Sequence, residues 1–163
     1  MKKIDSKLLN TTSRLAKDSK RQRMNHNFHS TPDDTLQRLL NAIEPYSYVQ
    51  PHKHEAPDKR EVFFALKGRM LVVEFDDIGN ITDQILLDPA GGNFGAEIAP
   101  RTWHTIISLE EGSVAYEFKD GPYSPVDDKN FASWAPVEGS AETLNYIHGI
   151  LAKTGYDIQK TPK

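Results

Sequence analysis

Three histidines and one glutamate have the spacing of a metal site. His52 and His54 stand two residues apart, and on a β-strand such side chains point to the same side. Glu61 begins the apolar run that follows, and it returns beside His54 if the two strands pair antiparallel with residues 55–60 as the connection. His104 lies much further along the chain. Three imidazoles and one carboxylate suit a single Fe, Mn, Zn, Ni or Co ion better than Cu(I) or Ca(II). Since the chain has no cysteine, nitrogen and oxygen atoms must bind any such ion.

Each of these residues also has an ordinary structural explanation when it is taken alone. Two histidines on an exposed strand are usually solvated, and a single glutamate is usually a surface charge. A histidine directly after a tryptophan, as His104 is, can be a hydrogen-bonded residue of the core. The metal hypothesis therefore depends on the four residues occurring together.

The order of the four residues resembles the double motif of the cupin superfamily. The first half of that motif reads H-x-H, a gap, E, six residues and G, as in HKH followed by EVFFALKG. The second half, G, P-x-G-x-x-H, three residues and N, compares with GAEIAPRTWHTIIS, where Arg101 replaces the glycine and Ser108 the asparagine. The gap before Glu61 is longer than in the motif. Glu55 is therefore the alternative carboxylate, although it directly follows His54 and should face away.

A narrower resemblance covers almost the whole chain. The segments RMNHNFH, LQRLLNAIEPYSYVQPHKH, EVFFALKGRM, PRTWHTIISLEEGSVAYEFKDGPYSP and WAPVEG, in this order, resemble the WbuC family of cupin-fold metalloproteins. The resemblance implies a small jelly-roll barrel with a metal in its mouth, bound by His52, His54, Glu61 and His104. It also implies a link to surface-polysaccharide biosynthesis, but it does not imply one particular reaction.

The expected function is that of a metal-dependent enzyme acting on a small polar, carbohydrate-related molecule, by isomerase, epimerase or dioxygenase chemistry. The ion would act as a Lewis acid, and Glu61 or Tyr48 would move a proton. Tyr48 has the same strand parity as His52 and His54, although a packed tyrosine would fit the pattern equally well. The alternative is a metal-containing binding module or sensor that catalyses no reaction.

The elements that must position these residues belong to an all-β domain, residues 1–163, with short helices at both ends. From residue 46 to 123, short apolar runs alternate with turn residues, which is typical of a sandwich or barrel. We predict a helix–strand–helix lead-in over 1–45 and a loop and helix over 124–163. The helices are expected over 6–17, over 31–45 and from Ser140 to Gly155.

The strand of the lead-in carries a second group of candidate residues. From Arg23 to His29, polar and apolar side chains alternate with the period of a strand. Arg23, Asn25 and Asn27 share one face, and we predict that they bind substrate, a sugar or carboxylate, beside the metal. An edge strand that shows this face to solvent is the alternative.

Charge and hydropathy limit the remaining classes of function. The net charge of −3 does not favour nucleic acid as a partner. No apolar run approaches the ~20 residues that span a membrane, and the first ten residues lack the apolar core of a signal peptide. We therefore expect a cytoplasmic protein that binds neither membranes nor nucleic acid, and whose exposed edge strand allows a homodimer.

Overall fold

The computed structural model describes residues 1–124 and 129–158, so residues 125–128 and 159–163 of the predicted C-terminal loop and helix lie outside the described part. The helices are α1 (Ser6–Asp18) and α2 (Thr143–Thr154). The strands are β1 (Arg23–Asn27), β2 (Leu36–Ile43), β3 (His52–Lys53), β4 (Glu61–Lys67), β5 (Met70–Phe75), β6 (Ile81–Leu87), β7 (Gly95–Ile98), β8 (Trp103–Ser108), β9 (Ser113–Asp120) and β10 (Asn130–Phe131).

The strands form two five-stranded antiparallel sheets. Their orders are β1-β2-β9-β4-β7 and β10-β3-β8-β5-β6, so consecutive strands often lie in different sheets. This is the cupin-type double-stranded β-helix, or jelly roll, with helices at both ends, and the predicted fold class is confirmed. No helix within the described ranges is long and apolar enough to cross a membrane.

Alternation along the strands produces three apolar layers. Inward side chains of both sheets, among them Phe63, Met70 and Ile106, form the core of the barrel. The outer face of the second sheet packs against α2, whereas the outer face of the first sheet packs against α1. The barrel is therefore covered on two sides, and its strands can be apolar on both faces.

The helix predicted over residues 31–45 is wrong, because Leu36–Ile43 is the strand β2. β2 lies between β1 and β9 and is buried on both faces, with Leu40 and Ala42 packed in the α1 layer and Ile43 in the barrel core. A strand that is buried on both faces loses its period of two, so its leucines matched the spacing of a helix by coincidence.

The barrel begins earlier than the predicted boundary between residues 45 and 46, because residues 36–43 form a strand and not a helix. β1 and β2 are strands of the first sheet, so the barrel begins well before residue 46. The helices at the two ends are confirmed: α1 covers the predicted range, and α2 ends at Thr154, followed by the C-cap Gly155 with its left-handed φ of 75°. The predicted cap of α2 is wrong, since the N-cap residue is Glu142 and not Ser140.

Truncation of Leu40 should destabilise the protein, whereas truncation of Leu36 on the same strand should not. Leu40 is fully buried between β2 and α1, and Leu36 is 44% exposed. We expect Leu40→Ala to lower the free energy of unfolding by about 2–5 kcal/mol. Leu36→Ala, the matched control, should change it by about 0.5 kcal/mol or less. Urea denaturation measures both values, and equal losses would contradict this packing.

Candidate metal centre

The four predicted ligand residues meet inside the barrel. Each of His52, His54, Glu61 and His104 offers one ligand atom, and these atoms all lie within 4.8 Å of one another. All four side chains are buried, with exposed fractions between 1% and 3%. The set of residues that the sequence singles out is thus brought together by the fold.

Both sheets contribute to the cluster. In the second sheet, His52 on β3 is the direct cross-strand partner of His104 on β8. Glu61 begins β4, which belongs to the first sheet, and it reaches the histidines across the interior. β3 and β4 therefore do not form the hairpin that would place Glu61 beside His54 along one sheet. The juxtaposition of His54 and Glu61 is nevertheless present, because the two sheets face each other.

Backbone carbonyls fix the orientation of two of the imidazoles. His52 Nδ1 donates to the Gln50 carbonyl at 3.0 Å, and His104 Nδ1 donates to the Thr102 carbonyl at 2.9 Å. Each ring then turns its Nε2 atom toward the cluster. Histidines that bind metals are commonly held by such a bond from the other ring nitrogen.

Charge and protonation in the cluster fit a cation. Burial holds the pKa of His52 well below its usual value, so its imidazole is neutral. Burial alone would raise the pKa of Glu61, but hydrogen bonds from His104 and His54 bring that pKa well below the usual range. Glu61 Oε2 lies 2.8 Å from His104 Nε2 and 3.3 Å from His54 Nε2. The cluster thus combines the negative charge of the Glu61 carboxylate with the neutral imidazole of His52, and both can bind a cation.

One buried nitrogen supplies a direct test of the fit to a metal. Within the described residues, His52 Nε2 is buried and has no hydrogen-bond partner. A buried polar atom without a partner costs about 1–3 kcal/mol, and a metal–nitrogen bond would remove that cost. Three imidazoles and one carboxylate converge on the space that this atom faces. The cluster suits a single divalent ion, and its residues do not select among Fe, Mn, Zn, Ni and Co.

Two local features explain how the departures from the double motif are accommodated. Arg101 occupies the glycine position with a left-handed φ of 65°, and its backbone N–H donates to the His54 carbonyl at 3.0 Å. Glu55, the alternative carboxylate, instead forms a salt bridge with Lys53 at 2.9 Å. Glu61 is therefore the carboxylate of the cluster despite the long gap before it.

A second buried carboxyl group, Glu117, lies beside the cluster and was missed in the sequence. It is hydrogen-bonded to Glu61, and its Oε2 accepts from Asn41 Nδ2 at 2.9 Å. Burial and the neighbouring Glu61 raise the pKa of Glu117 to about 8, so Glu117 carries the proton of this pair. Its position on β9 was a usable signal, because it lies two residues from the inward Ala115.

Tyr48 is placed away from the cluster. It belongs to the apolar layer between the second sheet and α2, and its hydroxyl donates to the Pro136 carbonyl at 2.7 Å. Residues 48–51 are not in a strand, so the period of two that would align Tyr48 with His52 and His54 does not apply there. This geometry does not support proton transfer by Tyr48.

The predicted substrate-binding residues lie on the expected strand at the edge of the sheet. The register places Arg23, Asn25 and Asn27 on the same face as Glu61, but β1 is three strand spacings from β4, about 14 Å along the sheet. Asn25 and Asn27 are exposed, and the Arg23 guanidinium binds Glu138. The structure does not bring these side chains into contact with the four residues of the candidate metal centre. Their role in substrate binding remains a prediction.

A cavity of about 460 Å³ lies at the other end of the barrel. Its lining comes from the β4–β5 turn, the segment after β6 and the β8–β9 turn, including Arg69, Asp88 and Glu110. The cluster lies near the start of β4 and of β8, far from these turns. We assign the functional site to the cluster, because the converging ligand atoms are there.

Comparisons with known proteins agree with the fold. A family model described as "Domain of unknown function (DUF6016)" matches residues 4–87, just over half of the chain. No curated protein matches the sequence.

Several solved structures resemble the chain at 14–21% identity, which shows the fold alone. The capsular polysaccharide assembling protein CapF from Staphylococcus aureus has a TM-score of 0.54 at 19% identity, with 66% of this chain and 29% of CapF covered. A second crystal form of CapF gives 0.53 at 21% identity, with 69% and 32% covered. A structure of the DMSP lyases RdDddP and RnDddQII gives 0.51 at 14% identity, with 69% and 53% covered. The chain thus spans about a third of CapF.

Loss of one ligand should remove the metal. We expect the purified wild-type protein to contain about one divalent ion per chain and His104→Ala to contain little, because a buried nitrogen ligand is lost. His26→Ala is the matched control, since His26 is exposed on β1. Elemental analysis of untagged protein measures the content. Wild-type metal content in His104→Ala would contradict the assignment.

The Glu61–Glu117 pair should make the stability of the metal-free protein depend on pH. Because the pKa of Glu117 is about 8 in the folded state and near 4.5 in the unfolded chain, the folded state holds an extra proton between these values. Glu117 should therefore contribute a fall in stability as pH rises from about 4.5 to 8, by at most ~1.4 kcal/mol per pH unit. Below about pH 6.5 the lowered pKa of His52 contributes a slope of the opposite sign. Glu117→Gln can keep both hydrogen bonds without the titration and should remove the Glu117 contribution to the slope. Urea denaturation in chelator at pH 5 and pH 8 measures it, and equal slopes in both proteins would refute the assignment.

Proposed function

The chain belongs to the family described as DUF6016, a domain of unknown function, and we propose that it is a metal-dependent enzyme of the cupin type. The observation that carries the proposal is the convergence of His52, His54, Glu61 and His104 in the interior, together with the buried His52 Nε2 atom. A site of this kind is expensive to build without an ion to hold it.

The residues of the site have separate tasks in the proposed enzyme. A divalent ion bound there supplies Lewis-acid activation of a carbonyl or hydroxyl oxygen, and Fe(II) in addition supplies oxygen chemistry. The three imidazoles bind without adding charge, and the burial of their rings excludes water. Glu61 is the residue that we propose for proton transfer, because the Tyr48 hydroxyl is engaged elsewhere. Glu117 and Asn41 orient the Glu61 carboxylate.

We propose a small carbohydrate-related molecule, a sugar or carboxylate, as substrate. Support comes from the resemblance to the WbuC family, which we propose as the closer affiliation and which implies a link to surface-polysaccharide biosynthesis. CapF, which is similar in fold, is described as a capsular polysaccharide assembling protein. Asn25 and Asn27 are proposed to contact the distal part of an extended ligand, since their exposed amides share the face that carries Glu61.

The proposed setting is a cytoplasmic homodimer that binds neither nucleic acid nor membranes. Exposed apolar side chains support the dimer, among them Phe64 on β4 at 44% exposure and Phe94 directly before β7 at 59%. The net charge of −3 supports the absence of nucleic acid as a partner.

A binding module or sensor without turnover is the second candidate function. The observation that favours it is the burial of all four ligand residues, which restricts access to the ion. A site with no open coordination position can hold an ion but cannot activate a substrate. The two candidates therefore differ in one measurable property, the exchange of ligands at the ion.

An assay in heavy water distinguishes the candidate reactions. We expect metal-loaded protein to incorporate deuterium beside the carbonyl of a sugar from a panel of hexoses and nucleotide sugars if it is an isomerase or epimerase. NMR spectroscopy detects the exchange, and an oxygen electrode detects a dioxygenase. Chelated protein and His104→Ala are the controls and should be inactive, because both lack the ion.

A ligand-dependent rise in melting temperature without exchange or oxygen uptake would favour the binding module. If the purified protein holds no stoichiometric metal, the proposal fails. It also fails if metal-loaded and chelated proteins react equally, since the reaction would then not depend on the ion.

A further inference from the structure

The stretch that precedes the two histidines is held by residues 130–138, here called the clamp segment. Gln50, whose backbone carbonyl accepts from His52 Nδ1, is 8% exposed. Its side chain bonds to the clamp segment at two places: Nε2 donates to the Ala132 carbonyl at 3.4 Å, and Oε1 accepts from the Glu138 N–H at 3.2 Å. The carbonyl that orients His52 thus belongs to a residue whose own side chain is fixed by the clamp segment.

The clamp segment also contacts the two residues that follow Gln50. The Ala132 N–H donates to the Pro51 carbonyl at 2.9 Å, and Phe131 is the cross-strand partner of His52. The rings of Phe131 and His52 lie 6.2 Å apart. His52 is therefore held between β8 on one side and the clamp segment on the other.

Arg23 joins the clamp segment to the stretch before the histidines. Its Nη2 donates to both carboxylate oxygens of Glu138, at 2.8 and 2.7 Å, and its Nη1 donates to the Tyr48 carbonyl at 2.8 Å. Arg21 also bonds to Glu138. The Arg23 side chain is only 12% exposed, so solvent screens this ion pair less than a surface pair. The guanidinium thereby fixes the distance between Tyr48 and Glu138.

We propose that Arg23, Glu138 and Gln50 are positioning residues that set the direction of the His52 Nε2 atom toward the metal. The contacts run from Arg23 through Glu138 to Gln50, and from the Gln50 carbonyl to the imidazole. A shift of that carbonyl rotates the ring, and water cannot easily replace the bond in so buried a place. The inference rests on the proposed function only in that an ion must bind at the cluster. It gives Arg23 a role in metal binding that differs from contact with substrate.

Cobalt(II) is the probe for the test, because its visible absorption reports both affinity and ligand geometry. The full-length variants are Glu138→Gln, which breaks the ion pair at constant size, and Gln50→Leu, which removes both side-chain bonds. We expect each variant to weaken cobalt binding about tenfold and to change the absorption spectrum. The matched control is Glu111→Gln, which breaks the exposed Lys17–Glu111 pair at the β8–β9 turn. This variant should leave the cobalt affinity and the absorption spectrum unchanged.

Melting temperatures in chelator separate positioning from stability. A merely structural role would lower the melting temperature of the metal-free variant but leave the cobalt affinity and spectrum of the folded protein as in wild type, and this result would overturn the inference. Should Glu138→Gln fail to fold, Arg23→Lys replaces it, since lysine keeps the charge but cannot make the same set of bonds. Wild-type protein that does not bind cobalt would overturn the proposed function as well. Wild-type cobalt affinity and spectra in both variants would overturn the positioning role but not the proposed function.

Discussion

The burial of one carboxylate among three imidazoles is the constraint on which the rest of the site depends. Glu61 comes from one sheet, His52 and His104 lie on the other, and His54 directly follows β3, so the cluster exists only when the two sheets face each other. A buried carboxylate needs hydrogen bonds or a cation, and the site provides both a set of nitrogen partners and a place for an ion. The strand order, the carbonyls that hold the rings and the neighbouring Glu117 all serve this arrangement.

The apolar layers explain why such a polar cluster can be maintained. The barrel core, the α1 layer and the α2 layer supply burial that does not involve the four residues of the cluster. Hydrophobic burial of this kind can stabilise the fold without the ion.

The double motif was enough to find the four residues of the cluster but not their surroundings. His52, His54, Glu61 and His104 were identified from residue type, order and spacing, and they converge as predicted. The hairpin that was expected to join His54 to Glu61 does not exist, because the two residues meet across the barrel and not along a sheet. Tyr48 lies outside the strands, so strand parity does not align it with the histidines.

The sequence by itself determined the β class, the helices at both ends, the strand at Arg23 and the four residues of the cluster. These features depend on local periodicity or on residue chemistry, which the chain carries in any conformation. Only the tertiary structure decided that residues 36–43 are a strand, because burial on both faces erases the local period. The same applies to the contacts of Glu117 with Asn41 and of Arg23 with Glu138, whose partners are distant in sequence. Such contacts arise when strands from different parts of the chain are brought together, and no short stretch of sequence records them.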